Sequence, residues 1–233
     1  MHTIKLTSLQ HPVVKHLKKL RTDKAYRHSE GRLFILGENS LREIEDHVSI
    51  KRLLCTKPSN FKAEETYLVT EEIIKKISGV TNPEPLAAEV QLPPFQDLRG
   101  KKRLLGLDHL RDPGNVGTLI RTALAFNFDG VVLDHSVDPF NDKALRAAKG
   151  ATFKIPLSIA PLSDHPQPKL IADLDGAPLE DYTPPESFCL ILGSESHGPS
   201  SGHSGDRLTI PMSGKIDSLN VALAGAILMY ALS

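Results

Sequence analysis

One stretch decides the fold of this chain: RLLGLDHLRDPGNVGTLIRTALAFNFDGVVLD, residues 103–134. Its first six residues have the near-continuous apolar character of a strand covered on both faces. Asp112-Pro113-Gly114-Asn115 is a turn, since proline cannot continue a strand and glycine and asparagine accept conformations that other residues avoid. From Val116 to Phe126 the apolar residues return at helical spacing. Gly130–Asp134 is then a second apolar strand. Strand, turn, helix and strand in sequence make a βαβ unit, and its crossover helix forces the two strands to run parallel.

Working outward toward the C-terminus, Lys143–Lys149 predicts a helix and Phe153–Leu157 a strand. Pro168–Ala172 is too short to assign. Ser187–Leu192 and Arg207–Pro211 predict strands, and Ser218–Ala231 a closing helix. Toward the N-terminus, residues 12–28 predict one helix, with Val13, Val14, Leu17 and Leu20 on an apolar face and basic residues elsewhere. Strands follow at Arg32–Leu36 (ending at Gly37), Ile50–Cys55, Tyr67–Val69 and Ala87–Leu92, with helices at Ser40–Asp46 and Glu71–Ser78. Pro83, Pro85, Pro93 and Pro94, followed by the polar run at 97–103, mark a boundary near 95–102. The reading is therefore α/β, with a small α/β domain at 1–98 and a larger parallel-sheet domain at 99–233.

Composition narrows the function. Apolar residues at 40% and charged residues at 24% are ordinary for a soluble globular protein. No apolar run reaches the roughly 18 residues a membrane span needs, and the N-terminus lacks the apolar core of a secretory signal, so a cytoplasmic location is expected. Cys55 and Cys189 match no metal or redox spacing, and the ten histidines are scattered, so no metal is expected. Cys189 sits in the apolar run 188–192 and reads as a small buried hydrophobe. The net charge of zero hides an asymmetry, because residues 1–32 hold eight Lys/Arg against two acids. Lys15, Lys18, Lys19, Arg21 and Arg27 are the candidates for phosphate contacts there. A basic helix face is also what an ordinary solvated helix shows.

Three later segments carry the chemistry, and each follows a predicted strand. In open parallel sheets ligands bind beyond the carboxyl ends of the strands, so such loops can converge. In the first, Asn115 stands at the helix start and Arg121 nearly two turns on; the bland alternative is a helix cap and a surface cation. The second is Leu192-Gly-Ser-Glu-Ser-His-Gly198, where two glycines flank Glu195, or simply a strand-ending turn. The third runs Ile210-Pro-Met-Ser-Gly-Lys-Ile-Asp-Ser-Leu-Asn-Val221. It sets Ser218 and Asn220 at a helix N-terminus, where free N–H groups are available, although Ser218 reads equally as an N-cap. No GxGxxG fingerprint or P-loop occurs, which counts against a nicotinamide or flavin enzyme.

Taken together, Asp112-Pro-x-Asn-x-Gly-x-x-x-Arg-Thr-Ala, Leu192-Gly-x-Glu-x-x-Gly and Ile210-Pro-Met…Ser218-Leu-Asn-Val resemble the three motifs of the SpoU (TrmH-like) branch of the SPOUT methyltransferases. The resemblance spans about residues 103–232. It implies a parallel-sheet domain with a trefoil knot, S-adenosyl-L-methionine as cofactor, an RNA ribose 2′-hydroxyl as acceptor, no metal, and a homodimer. It assigns catalysis to Asn115, Arg121, Glu195, Ser218 and Asn220, and cofactor binding to Leu192, Gly193, Ile210, Met212 and Leu219. The opening Ile4-x-Leu-x-Ser-Leu-Gln-His-Pro-Val-Val-Lys and the Tyr26-Arg27 pair are similar to the small domain of rRNA-directed members, which places rRNA ahead of tRNA. Leu36-Gly37, Ser196 and Pro199 depart from the family pattern. The competing readings are a tRNA 2′-O-methyltransferase and an RNA-binding protein of the same fold without activity.

Overall fold

The computed structural model describes residues 3–194 and 198–233. Two compact units emerge, one running to Pro93 and taking in Phe140–Asp142, the other formed by Pro94–Pro139 and Lys143–Ser233.

The first unit contains β1 (Thr3–Leu6), α1 (Pro12–Thr22), α2 (Lys24–Glu30), β2 (Arg32–Leu36), α3 (Glu38–Arg42), β3 (Ile50–Cys55), β4 (Glu65–Val69), α4 (Glu71–Ser78) and β5 (Leu86–Gln91). Its sheet has the order β1-β4-β3-β5-β2. β1, β4 and β3 run parallel, while β5 is antiparallel to both its neighbours. The single helix expected over 12–28 is two helices. Asp23 takes extended backbone (ψ 110°), ending α1, and its carboxylate accepts the Tyr26 N–H at 3.0 Å to start α2. The apolar stripe does what its spacing predicts: Val14, Leu17 and Leu20 are fully buried against Ile73, Ile74 and Ile77 of α4. The helix expected at 40–46 is the shorter α3.

The second unit contains β6 (Arg103–Asp108), α5 (Pro113–Ala125), β7 (Gly130–Asp134), α6 (Asp142–Ala148, its first residue in the other unit), β8 (Leu157–Ile159), β9 (Lys169–Pro178), β10 (Phe188–Leu192), β11 (Asp206–Thr209) and α7 (Val221–Ala231). Six strands form one sheet in the order β11-β9-β10-β6-β7-β8, and every pairing is parallel. The fold is thus α/β with a parallel sheet, as the βαβ pattern requires. β6 and β10 pair at the centre, Leu105 opposite Leu190. Leu104, Val132, Cys189 and Ile191 pack on one face with Leu98 and Leu162. α5 lies against α7, where Gly225 leaves room for Leu119 and Leu192.

Three expectations need correction. Phe153–Leu157 is not a strand, because Ala151–Phe153 form a 3-10 turn after Gly150 (φ 78°) and pairing begins only beyond Pro156, which has no N–H to give. α5 begins at Pro113 rather than Val116, capped by Asp112. α7 begins at Val221, so Ser218 lies outside it, and Asn220 is its cap.

Candidate active site

The site is built at the carboxyl ends of β6, β10 and β11. After β6 the chain turns through residues 109–112 into α5. Asp112 Oδ1 accepts the Asn115 N–H at 2.9 Å and its Oδ2 holds Lys143 Nζ at 2.6 Å. The lysine and these N–H bonds keep the Asp112 carboxyl below its usual range. Asn115 is therefore not the cap, and its side chain faces another element from the first turn of the helix.

That element is α7. Asn220 Oδ1 accepts the N–H groups of Ala222 (2.9 Å) and Leu223 (3.4 Å), while its Nδ2 donates to Asn115 Oδ1 at 3.2 Å. Two residues 105 positions apart in sequence thus join the N-termini of two helices. The first N–H groups of each helix are taken up by its own cap, Asp112 on α5 and Asn220 on α7, so what the junction presents is the pair of amide side chains. Arg121 is exposed on α5 two turns further on.

Beside this pair lies a cavity of about 510 Å³. Leu192, Gly193, Ile210, Met212 and Leu219, all five residues of the expected cofactor set, line it together with Ser218. Its floor is apolar, from Val221, Ala224 and Leu228, and Asp173 and Asp175 stand at its rim. The size and the apolar lining with a few polar groups suit a small organic ligand. Gly193 lies close against another stretch of backbone, because a Cβ there would collide with the main chain of Gly198 and Pro199. Ser194 and Gly198 close on each other in an antiparallel bridge, with the Gly198 N–H 2.9 Å from the Ser194 carbonyl. Glu195 and Ser196, the expected catalytic acid and the departure beside it, lie outside the described residues.

The basic candidates sit on the first unit and divide. Lys15, Lys18 and Lys19 are exposed on α1, with Lys19 Nζ 4.2 Å from the Tyr26 ring centroid. Arg27 does not share that surface. It is 4% exposed and its Nη1 donates to the carbonyls of Leu20 (2.9 Å) and Arg21 (3.1 Å), closing the end of α1. Arg21 is half-buried, its Nε donating to the Ile77 carbonyl at 2.8 Å.

Sequence reasoning missed Asp108, the last residue of β6. Its side chain is 2% exposed. Oδ2 accepts the Ser200 N–H at 2.6 Å and lies 3.0 Å from His203 Nε2, while Oδ1 lies 2.5 Å from His109 Nδ1. Burial alone would raise this carboxyl, but bonds from Ser200, His109 and His203 outweigh it and hold the pKa at about 2. Asp108 ties the 198–203 segment, which lends Gly198, Pro199 and Ser201 to the cavity wall, to the strand that leads into α5. An acid closing an apolar strand carries no signal of this role in sequence. Among the described residues no group of His, Cys, Asp or Glu is placed to hold a metal ion.

Comparison with known proteins bears on the same region. The model of the SpoU rRNA methylase family matches residues 102–230. The 23S rRNA (guanosine(2553)-2′-O)-methyltransferase RlmP of Bacillus subtilis is 32% identical, over 97% of this chain and 98% of that protein. The AdoMet-bound rRNA methyltransferase of Sinorhizobium meliloti superposes with a TM-score of 0.85 at 26% identity, covering 98% of this chain and 97% of its own. The SpoU methyltransferase AviRb of Streptomyces viridochromogenes, at 20% identity and a TM-score of 0.83, shares the fold.

Proposed function

From the premise that the chain belongs to the SpoU rRNA methylase family, we propose that it transfers a methyl group from S-adenosyl-L-methionine to a ribose 2′-hydroxyl of ribosomal RNA. The observation that carries this reading is the meeting of three strand-following loops in one place. The cavity takes its walls from the loops after β10 and β11, and the Asn115–Asn220 bond brings the loop after β6 to its edge. When bound, the cofactor supplies an electrophilic methyl on a sulfonium. Leu192, Gly193, Ile210, Met212 and Leu219 would hold it, and the roughly 510 Å³ of largely apolar space fits it.

The protein's own task is orientation. A ribose hydroxyl is a poor nucleophile near neutral pH, so rate comes from alignment and from stabilising the oxygen as its proton departs. Arg121 serves as a clamp on the target phosphate or the developing alkoxide, with Glu195 orienting it. Asn115, Ser218 and Asn220 position the ribose. The acceptor hydroxyl itself selects RNA over DNA.

The finer parts of the reading follow. Residues 1–98 serve as the RNA-substrate domain, with Lys15, Lys18 and Lys19 as phosphate contacts, and 99–233 as the methyltransferase domain. The trefoil knot that the family resemblance implies belongs to the second of these domains. The protein works in the cytoplasm; no helix among the described residues is long and apolar enough to cross a membrane. A homodimer is supported by α7, which exposes Leu223, Ile227 and Tyr230 at i, i+4 and i+7.

The test is calorimetry with S-adenosylmethionine and its demethylated product, followed by mapping of 2′-O-methyl marks lost from rRNA on gene deletion. The position named for the B. subtilis relative is the first to inspect. Micromolar binding together with one lost mark is the expected result. Cofactor binding with every rRNA mark intact would transfer the assignment to tRNA or to an inactive RNA-binding protein.

A further inference from the structure

Two histidines beyond the three motifs form a second built feature at the same end of the sheet. His109 follows β6 and His135 follows β7, and both adopt left-handed backbone, φ 57° and 47°. Their rings stack with centroids 5.0 Å apart and planes inclined by 26°. Both remain open to solvent, the side chains 44% and 74% exposed.

The pair is locked from below. The His109 N–H donates to the Asp134 carbonyl (2.9 Å), the Leu110 N–H to Ser136 Oγ (2.9 Å) and the Val137 N–H to the Leu110 carbonyl (2.8 Å). Ser136 Oγ in turn donates to the Leu107 carbonyl at 2.9 Å. These bonds zip the two loops together. Asp108, buried, fixes the His109 ring through Nδ1, and Asp134 Oδ1 stands 3.7 Å from His135 Nε2. Adjacent non-glycine residues in the left-handed region persist only where their surroundings enforce it, and such enforcement gathers at functional sites. The enforced product here is a flat aromatic surface with an open outer face.

We propose that the His109–His135 stack is a platform for an unpaired nucleobase of the RNA substrate. Single-stranded RNA is recognised largely by splayed bases stacking on aromatic side chains, histidine included. A platform held rigid before binding loses little entropy when the base arrives. The placement fits, because His109 lies three residues before Asp112, the cap of the helix that carries Asn115 and Arg121. A base stacked there is held on the loop that leads into the acceptor side of the site. Asp108 also links this platform to the 198–203 wall of the cavity, so the RNA side and the cofactor side share one buried carboxylate. The inference rests on the RNA-methyltransferase reading above.

The experiment compares wild type, His135→Asn and His135→Phe on an unmodified 23S rRNA transcript. Asparagine tolerates the left-handed backbone but removes the ring, while phenylalanine keeps the ring. H135N should raise the KM for the transcript roughly tenfold, as loss of one base stack does, leaving kcat and the Kd for S-adenosylmethionine unchanged. H135F should return KM to within about twofold of wild type. An unchanged KM in H135N, or an H135F that melts like wild type yet is no better than H135N, overturns the platform. Should wild type transfer no methyl to the transcript, the function assigned above falls. The platform is then judged by gel-shift Kd on the same transcript, with the same pattern required of the two variants.

Discussion

Asn220 performs two tasks with one amide, and two substitutions separate them. Its Oδ1 caps α7 through the N–H groups of Ala222 and Leu223, and its Nδ2 reaches Asn115. Alanine abolishes both. Losing an N-cap costs about 1 kcal/mol, with a range of about 0.5–2. In a protein of this size that lowers Tm by roughly 2–4 °C. Serine is also a good N-cap, but its single hydroxyl cannot accept from the helix N–H groups and span the gap to Asn115 at once. N220S should therefore melt within about 1 °C of wild type. Methyl transfer should fall in both variants, by about a hundredfold in kcat, because small misplacements of reacting groups carry penalties of that order. The assay is a thermal melt paired with single-turnover methylation of rRNA. N220S turning over like wild type would refute the claim that the bridge aligns the acceptor. An unchanged melt for N220A would refute the capping argument.

Other perturbations probe other links. Asp108 has a folded pKa of about 2, depressed from an unfolded value near 3.9, so its contribution is complete above pH 4 and vanishes as pH falls through about 2. It amounts to roughly 2–3 kcal/mol; D108N should lie about that far below wild type at pH 6 in urea titrations, and the two curves should converge toward pH 2. A gap that persists at low pH would mean Asp108 acts by packing rather than by charge. Gly193→Ala should weaken S-adenosylmethionine binding by at least about tenfold in calorimetry, because its Cβ would meet the main chain of Gly198 and Pro199. Gly202→Ala meets nothing within 4 Å and should bind normally. Both cysteines are buried, and burial pushes the Cys189 thiol up to about 12 and raises Cys55 as well. A thiol reagent at pH 8 should label neither until denaturant is added.

The sequence revealed elements wherever local physics was unopposed. Arg103–Asp108, Gly130–Asp134 and Glu71–Ser78 match observed elements residue for residue, since an apolar run or a 3.6-residue period leaves few alternatives. It fell short where one polar residue acts twice. Asp23 both ends α1 and starts α2, and neither proline nor glycine marks the break, so the sequence offers no signal for it. β9 was illegible because its apolar run, Leu170–Ala172, is too short to assign and polar Asp173 and Asp175 follow; the strand extends to Pro178 through its pairing with β11. In the site, the motifs named the residues that line the cavity. Their mutual arrangement was not legible, since the Asn115–Asn220 bond depends on two helix starts meeting across the fold. Arg27 misled for a plainer reason, because a buried arginine closing a helix and an exposed one gripping phosphate look identical in a one-letter string.

The central pairing of the second unit also has a temporal side. β6 finds its partner β10 only after some eighty further residues, with Leu104 opposite Cys189 and Leu107 opposite Leu192. A nascent chain emerging from the ribosome therefore leaves the β10-side edge of β6 unpaired while everything up to Leu192 is still being made, whereas the smaller unit has all five of its strands by Gln91. Contacts this distant slow folding and lengthen the interval in which aggregation competes. Expression at reduced temperature or with added chaperone capacity should accordingly raise the soluble yield of the full chain far more than that of a fragment ending at Pro93.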